Sequence, residues 1–155
     1  MGCSIVLRED DLSGPDIEAL LEVHLDNAAQ HSPPESVHAL DMAALRASDI
    51  TFWTAWQGSN LLGCGALKEV ETGHGEIKSM HTGEAHRGKG IASLLVAQIL
   101  QAAELRSYQR VSLETGSMAA YAPARGLYRR FGFEECAPFG EYEADPHSFF
   151  MRRLI

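Results

Sequence analysis

The sequence predicts a mixed α/β (α+β) fold: a mostly antiparallel central sheet with one parallel β-α-β unit and helices on both faces. Three observations lead there. Apolar spacing is helical over residues 17–45 and becomes strand-like over residues 50–82. Two turn signals, Gly58-Ser59-Asn60 and Thr72-Gly73-His74-Gly75, join the strand-like runs closely enough to make them antiparallel. A long apolar helix then separates two further strands, and a crossover of that kind favours parallel pairing.

Each element has its own justification. Residues 4–7 are short and β-prone. Ser13-Gly14-Pro15-Asp16 reads as a helix start, because Pro presets the first turn. Ile17, Leu20, Leu21, Leu25 and Ala28 follow as one stripe, on which His24 reads as a packed, hydrogen-bonded histidine. Ser32-Pro33-Pro34-Glu35 has the form of a capping box. It predicts a second helix with Val37, Leu40, Ala44 and Leu45 on its apolar face. Residues 50–56 and 61–71 are partner strands, and residues 76–82 alternate between two faces. A period of two places Glu76, Lys78, Met80 and Thr82 on one face and His81 on the other. Residues 88–106 form a helix with Ile91, Leu94, Leu95, Ile99 and Ala102 on its stripe; a helix apolar over most of its circumference packs on a sheet. A strand at 111–115, a short helix at 122–131 and a strand at 148–154 complete the order β-α-α-β-β-β-α-β-α-β.

A chain of 155 residues fits one domain, spanning 1–155, and buries roughly 70% of its unfolded surface. The net charge of −8, from 21 acids and 13 bases, leaves no basic stretch long enough for nucleic acid. Cys3, Cys64 and Cys136 are sparse and odd in number, which fits a reducing compartment rather than a disulfide framework. No apolar run approaches the ~20 residues of a membrane span, and no signal peptide opens the chain. Val6 stands where a myristoylation signal carries Ser or Thr. The expectation is a cytoplasmic protein with no membrane and no nucleic-acid partner; a homodimer is left open.

The densest motif is His86-Arg87-Gly88-Lys89-Gly90-Ile91-Ala92, between a strand and a helix N-terminus. Unpaired N–H groups, the positive end of the helix dipole and nearby glycines together suit a phosphate. Glycines that merely make a tight turn are the plain alternative. The stretch from Gly83 to Gly90 nearly matches the nucleotide-binding pattern GxxxxGK followed by Ser or Thr, but Gly90 supplies no hydroxyl for magnesium. The dinucleotide pattern GxGxxG also fails, since Ser93 stands at its third glycine.

Arg87-x-x-Gly90-x-Ala92 resembles the Q/R-x-x-G-x-G/A pyrophosphate loop of the GNAT superfamily of acyl-CoA-dependent N-acetyltransferases. Leu127-Tyr128-Arg129-Arg130-Phe131-Gly132-Phe133 resembles that family's L-Y-x-x-x-G-F segment. The segments Ser32-Pro33-Pro34-Glu35-Ser36-Val37-His38-Ala39-Leu40-Asp41 and Asp145-Pro146-His147-Ser148 look like those of a bacterial YsnE-like subgroup. The resemblance implies acetyl-CoA as acyl donor in a cleft where strand 76–82 splays from strand 111–115. It implies cofactor contacts from Met80, His81 and Thr82, from Arg87, Gly88, Lys89, Gly90, Ile91, Ala92 and Ser93, and from Tyr121 and Tyr128. Tyr121 stands where many members carry Asn. By the same resemblance, the Met80 N–H faces the acetyl carbonyl, a fixed donor for the developing oxyanion.

An attacking amine must lose a proton. Glu76 holds the position of the base glutamate in histone-acetylating members, with an edge-strand surface glutamate as the plain reading. His81 becomes the alternative base if the strand bulges; His74 and Glu114 are weaker candidates. Tyr128 is the candidate acid for the leaving thiolate. Glu35, His38 and Asp41, on one face of the second helix, are the candidate acceptor wall, suited to a cationic amine. The seven histidines include no tight ligand set, so no metal is expected. Acetyl transfer to a primary amine of a small molecule or peptide by direct attack is the expected activity; a non-catalytic CoA-binding sensor or interaction module is the alternative.

Overall fold

The computed structural model describes residues 4–155; Cys3 and the start of the chain read for lipidation lie outside the described residues. The strands are β1 (Ile5–Glu9), β2 (Ile50–Gln57), β3 (Asn60–Glu71), β4 (His74–Thr82), β5 (Arg110–Gly116), β6 (Glu134–Glu135) and β7 (Ser148–Leu154). They form one seven-stranded sheet in the order β1-β2-β3-β4-β5-β7-β6. Neighbours are antiparallel except for the parallel pair of β4 and β5. The helices are α1 (Pro15–His31), α2 (Met42–Leu45), α3 (Ile91–Leu105) and α4 (Ala122–Arg130).

The expected mixed sheet with helices on both faces is therefore present. Ile91, Leu95, Val96 and Ile99 of α3 bury against Leu67, Ile77, Val111 and Leu113, in a cluster that also holds Tyr128 of α4. Ile17 and Leu21 of α1 and Leu45 of α2 bury against Phe52, Cys64 and Ala66 on the other side. Leu67 and Ala66 point to opposite faces because successive strand residues alternate. Burial pushes the Cys64 thiol up to about 12, so this cysteine is an inert core group. Strand β6 is an addition to the expected order; its two residues continue the sheet outside β7.

The helix expected over residues 32–45 does not form. A single 3-10 turn, Pro34–Ser36, is followed by extended chain and then by the four-residue α2. Ser32 closes α1 instead, its N–H donating to Ala28 O. Pro33 and Pro34 explain the change. Two consecutive prolines remove donors and hold Pro33 extended at φ −59°, ψ 152°, so no helix propagates from Ser32. The cap that does form is Asp41, whose Oδ1 accepts from Ala44 N at 2.9 Å. Replacing Asp41 with Ala should lower stability by about 1 kcal/mol, whereas Ser32→Ala should leave it within about 0.5 kcal/mol. Thermal melts of the two variants check this ranking.

Candidate active site

Strand β4 contains a bulge. Cys64 pairs with His81 and Ala66 with Lys78, so two residue steps on β3 face three on β4. The extra residue is at Ser79, with φ 55°. The expected alternation holds only as far as Lys78. Met80 turns to the α3 face, where its Sδ fills the space beside Gly65. His81 turns to the α1 face instead, where His24 meets it. A bulge inserts a residue and rotates the strand, which is why counting by twos fails past Ser79.

The same distortion coincides with an opening. The parallel ladder of β4 with β5 runs from His74 opposite Arg110 to Ile77 opposite Leu113 and stops. Both strands continue, held only on their outer edges: Thr82 opposite Gly63 of β3, and Gly116 opposite Ser148 of β7. Residues 78–82 and 114–116 thus border a splay. Arg125 secures its β5 side, donating to Gly116 O at 2.7 Å and Met118 O at 2.9 Å. The Tyr121 ring lies where a Cβ on Gly116 would stand, and its edge approaches His31 at the end of α1.

The glycine loop lies at one end of this splay. Gly88 and Gly90 have φ of +80° and +79°, and beyond the adjoining chain no heavy atom lies within 4 Å of where a Cβ on either would be. Gly90 is the N-cap residue of α3, with Ile91 as its first residue, so the helix begins three residues later than expected. The first-turn N–H groups beyond this cap are those that a helix leaves unpaired. Arg87 and Lys89 are exposed beside it, Lys89 Nζ lying 3.3 Å from His86 Nδ1.

A polar cluster lies on the sheet face opposite α3. Glu76 is only 3% exposed, in a central strand rather than at an edge. Its Oε2 accepts from Tyr142 Oη at 2.5 Å and is 3.4 Å from Lys78 Nζ. Lys78 also donates to Tyr142 Oη at 2.8 Å and to His38 O at 3.1 Å. Tyr142 arrives on the connection between β6 and β7 and packs with Phe139 and Phe150. The His38 ring stands edge-on to Tyr142, with centroids 5.0 Å apart. Asp145 of the same connection accepts from Ser36 Oγ at 2.5 Å, tying it to the 3-10 turn. On β5, Glu114 Oε2 accepts from Ser148 Oγ at 3.0 Å, and burial pushes the Glu114 carboxyl up to about 7. His74 Nε2 is 2.6 Å from Ser112 Oγ, a structural contact at the far end of β4.

Of the expected acceptor residues, only His38 joins this cluster. Glu35 is exposed on the 3-10 turn and Asp41 is engaged in its cap, so the shared helix face of Glu35, His38 and Asp41 is absent. Tyr142 and Phe139 were not anticipated. Their signal was four aromatic residues, Phe139, Tyr142, Phe149 and Phe150, in an otherwise polar, Gly- and Pro-containing terminal stretch. Tyr128, on α4 at the opposite face, is 5% exposed, and burial holds its phenol above the ordinary value of 10. Among the described residues, no group of three or more His, Cys, Asp or Glu is placed to hold a metal. No helix there is long and apolar enough to cross a membrane.

His24 and His81 share a contact of 3.1 Å between their Nδ1 atoms, so one imidazole donates and the other accepts. Burial, and then the His81 charge, pulls His24 down to about 4 from its ordinary 6.5. Burial, and then Arg87, also lowers His81. Between about 4 and 6.5 the unfolded chain binds the proton that folded His24 refuses, so this contribution to stability is lost as pH falls through that window. Wild type should lose more melting temperature than His24→Asn between pH 6.5 and 4. Equal losses would remove His24 as the cause.

A splayed parallel pair beside a glycine loop at a helix N-terminus is the site of an acyl-CoA N-acyltransferase fold. Residues 17–133 match the model of the Acetyltransferase (GNAT) family, and the chain belongs to that family. It is 52% identical over 149 residues to the uncharacterized N-acetyltransferase YsnE of Bacillus subtilis strain 168, covering 96% of this chain and 99% of that protein. It is 46% identical over 145 residues to the uncharacterized N-acetyltransferase YedL of Escherichia coli K12, covering 94% and 91%. A Bacillus subtilis acetyltransferase crystallised with CoA shares the fold, with a TM-score of 0.74 at 16% identity over 98% of this chain and 99% of that one.

Proposed function

We propose that this protein transfers the acetyl group of acetyl-CoA to a primary amine of a small molecule or peptide, by direct attack within a ternary complex. The splay between β4 and β5 carries this reading. It offers unpaired strand edges to an amide-containing arm, and it ends at a loop suited to a pyrophosphate. The open space over Gly88 and Gly90 is a cradle that a side chain would fill. Ser79 Oγ and His81 Nε2, on either side of Met80, are buried and have no hydrogen-bond partner among the described residues. Buried polar groups are normally satisfied, so these two fit a site completed by a ligand. The CoA-bound neighbour and the N-acetyltransferase names of the relatives support the same donor and reaction.

In this reading the N–H groups of the loop from Arg87 to Ser93 hold the pyrophosphate, with charge from Arg87 and Lys89. Met80 and Thr82 offer backbone groups to the acyl arm, and Tyr121 flanks it. The acceptor approaches from the α1 and α2 side, where His38 and Tyr142 form a wall. The amine gives up a proton, its nitrogen bonds to the carbonyl carbon, and the carbon–sulfur bond breaks. The sulfur leaves as thiolate and is then protonated. Tyr128, on the opposite face, donates a hydrogen bond to that sulfur. Glu76 and His81 are the bases read from the sequence; the bulge brings His81 to the face that Glu76 already occupies.

The test is a panel of amino acids, polyamines, aminoglycosides and peptides, followed by free-thiol release with an acetyl-CoA-alone control. Amine-dependent thiol release and an N-acetylated product by mass spectrometry are expected. Binding of acetyl-CoA with no release above the control for any amine would overturn the catalytic reading.

A further inference from the structure

We propose that Glu114, rather than Glu76, takes the proton from the attacking amine, and that Glu76 is a positioning residue holding Tyr142 and Lys78. This inference rests on the acetyl transfer proposed above.

The two carboxylates share a sheet face but differ in availability. Glu76 Oε2 is held by Tyr142 and Lys78, and the residue is almost wholly buried. Lys78 is itself committed to His38 O and Tyr142 Oη. Both donors sit on Oε2, so only Oε1 could take a proton, and a side chain 4% exposed gives an incoming ammonium little access to it. Glu114 lies one residue past Leu113, the last rung of the parallel ladder, and so at the first position where β5 borders the splay. Its side chain takes one hydrogen bond, from Ser148 Oγ to Oε2, which leaves Oε1 without a partner among the described residues. It is partly exposed, unlike Glu76.

The placement also suits the displacement. Ser112, two residues before Glu114, meets His74 on the acceptor face, and alternation puts Glu114 on that face too. Tyr128 belongs to the cluster on the α3 face. An acyl carbon in the splay would therefore meet the amine from the Glu114 side and release sulfur toward the Tyr128 side. The ammonium passes one proton to Glu114 Oε1, the freed nitrogen lone pair forms the N–C bond, and the second N–H proton, shed as the tetrahedral species collapses, passes through solvent to the leaving thiolate. The electrons of the C–S bond leave with sulfur. Amide, free thiol and one proton are the net products.

The charged and titratable groups facing Glu114 are Lys78 and Glu76 from β4 and Tyr142 and Asp145 from the β6–β7 connection; Ser148 of β7 adds its hydrogen bond. Burial is the largest influence and raises the carboxyl. Ser148 and Lys78 act against it, while Glu76 and Asp145 add to it. The net position is about 7, the poise that suits a general base at neutral pH. A lysine-type amine titrates near 10, well apart from it.

The experiment uses the acceptor giving the fastest wild-type thiol release, and follows kcat from pH 5.5 to 9 for wild type, Glu114→Gln, Glu114→Asp, Glu76→Gln and His81→Ala. Acetyl-CoA binding is measured by calorimetry for each. Glu114→Gln should lose about 10²-fold in kcat at pH 7.5, lose the acidic limb near 7, and bind acetyl-CoA as wild type does. Glu114→Asp retracts the carboxylate by one methylene and should restore part of the rate together with the limb. Glu76→Gln should raise the acceptor KM and keep the limb. If Glu114→Gln keeps both rate and limb, or if only Glu76→Gln or His81→Ala removes the limb, Glu114 is not the base, while the acetyl-transfer reading stands. A wild-type protein that binds acetyl-CoA but releases no thiol with any amine overturns both.

Discussion

Gly90→Val should lower CoA affinity by at least about 10²-fold while leaving the fold in place. Two independent costs add. The residue holds φ +79°, a left-handed conformation that a β-branched side chain adopts at about 1–3 kcal/mol. Relaxing that strain moves the N–H groups of the first turn of α3. A hydrogen bond to a charged group is worth about 1.5–3 kcal/mol. The added methyls also enter the open space where the pyrophosphate is proposed to sit. Either cost near 2.7 kcal/mol corresponds to a hundredfold change in dissociation constant. The fold survives because Gly90 is exposed and the core begins only with Ile91. Gly73→Val is the control for strain alone. Its φ is +78° in the turn before β4, at the end of that strand remote from the loop. That variant should melt earlier and bind CoA normally. Calorimetry with CoA on both variants decides; unchanged affinity in Gly90→Val would remove the phosphate cradle.

The sheet and the loop were legible because they rest on local signals. The turns at Gly58 and Gly73, the apolar girth of α3 and the spacing of Arg87, Gly90 and Ala92 each act within a few residues. Three features were not legible, for three reasons. Ser32-Pro33-Pro34-Glu35 satisfies the composition of a capping box, but the two prolines stop the helix it would cap. The bulge at Ser79 carries no mark in the sequence, since serine is not a residue that demands positive φ. Its consequence is large: it moves His81 onto the face of Glu76 and Lys78, and Met80 off it. The third is Tyr142, which is 66 residues from Glu76 yet holds its carboxylate. Such a contact depends on how the β6–β7 connection folds back across β4, which short-range spacing does not encode. The candidate base shifts for the same reason. Glu114 and Glu76 look alike in sequence, and only the end of the β4–β5 ladder, the donors each carboxylate holds and its burial separate them.

Tyr128→Phe should cut kcat by about 10²-fold or more with little change in CoA affinity or melting temperature. The ring packs edge-on to Phe133 at 5.8 Å, and phenylalanine preserves that contact and nearly all the volume. The hydroxyl makes no hydrogen bond to any described residue, so its removal deletes no internal contact. Burial keeps the phenol protonated throughout the working pH range, which makes it a permanent donor. The same burial widens its mismatch with a thiol, whose ordinary pKa is near 8.5. Complete transfer of the phenolic proton is therefore uphill, and the stabilisation comes from a hydrogen bond to sulfur as negative charge develops, with solvent completing the protonation. Removing one such preorganised donor costs on the order of 10²–10³ in turnover. This origin has its own signature. A matched general acid would impose a basic limb on the pH–rate profile, whereas the loss of a fixed donor lowers the rate evenly across pH. The Phe variant should therefore run parallel to wild type above pH 8. A Phe variant with wild-type turnover would make Tyr128 a core residue only, and a lost basic limb would restore it as the acid.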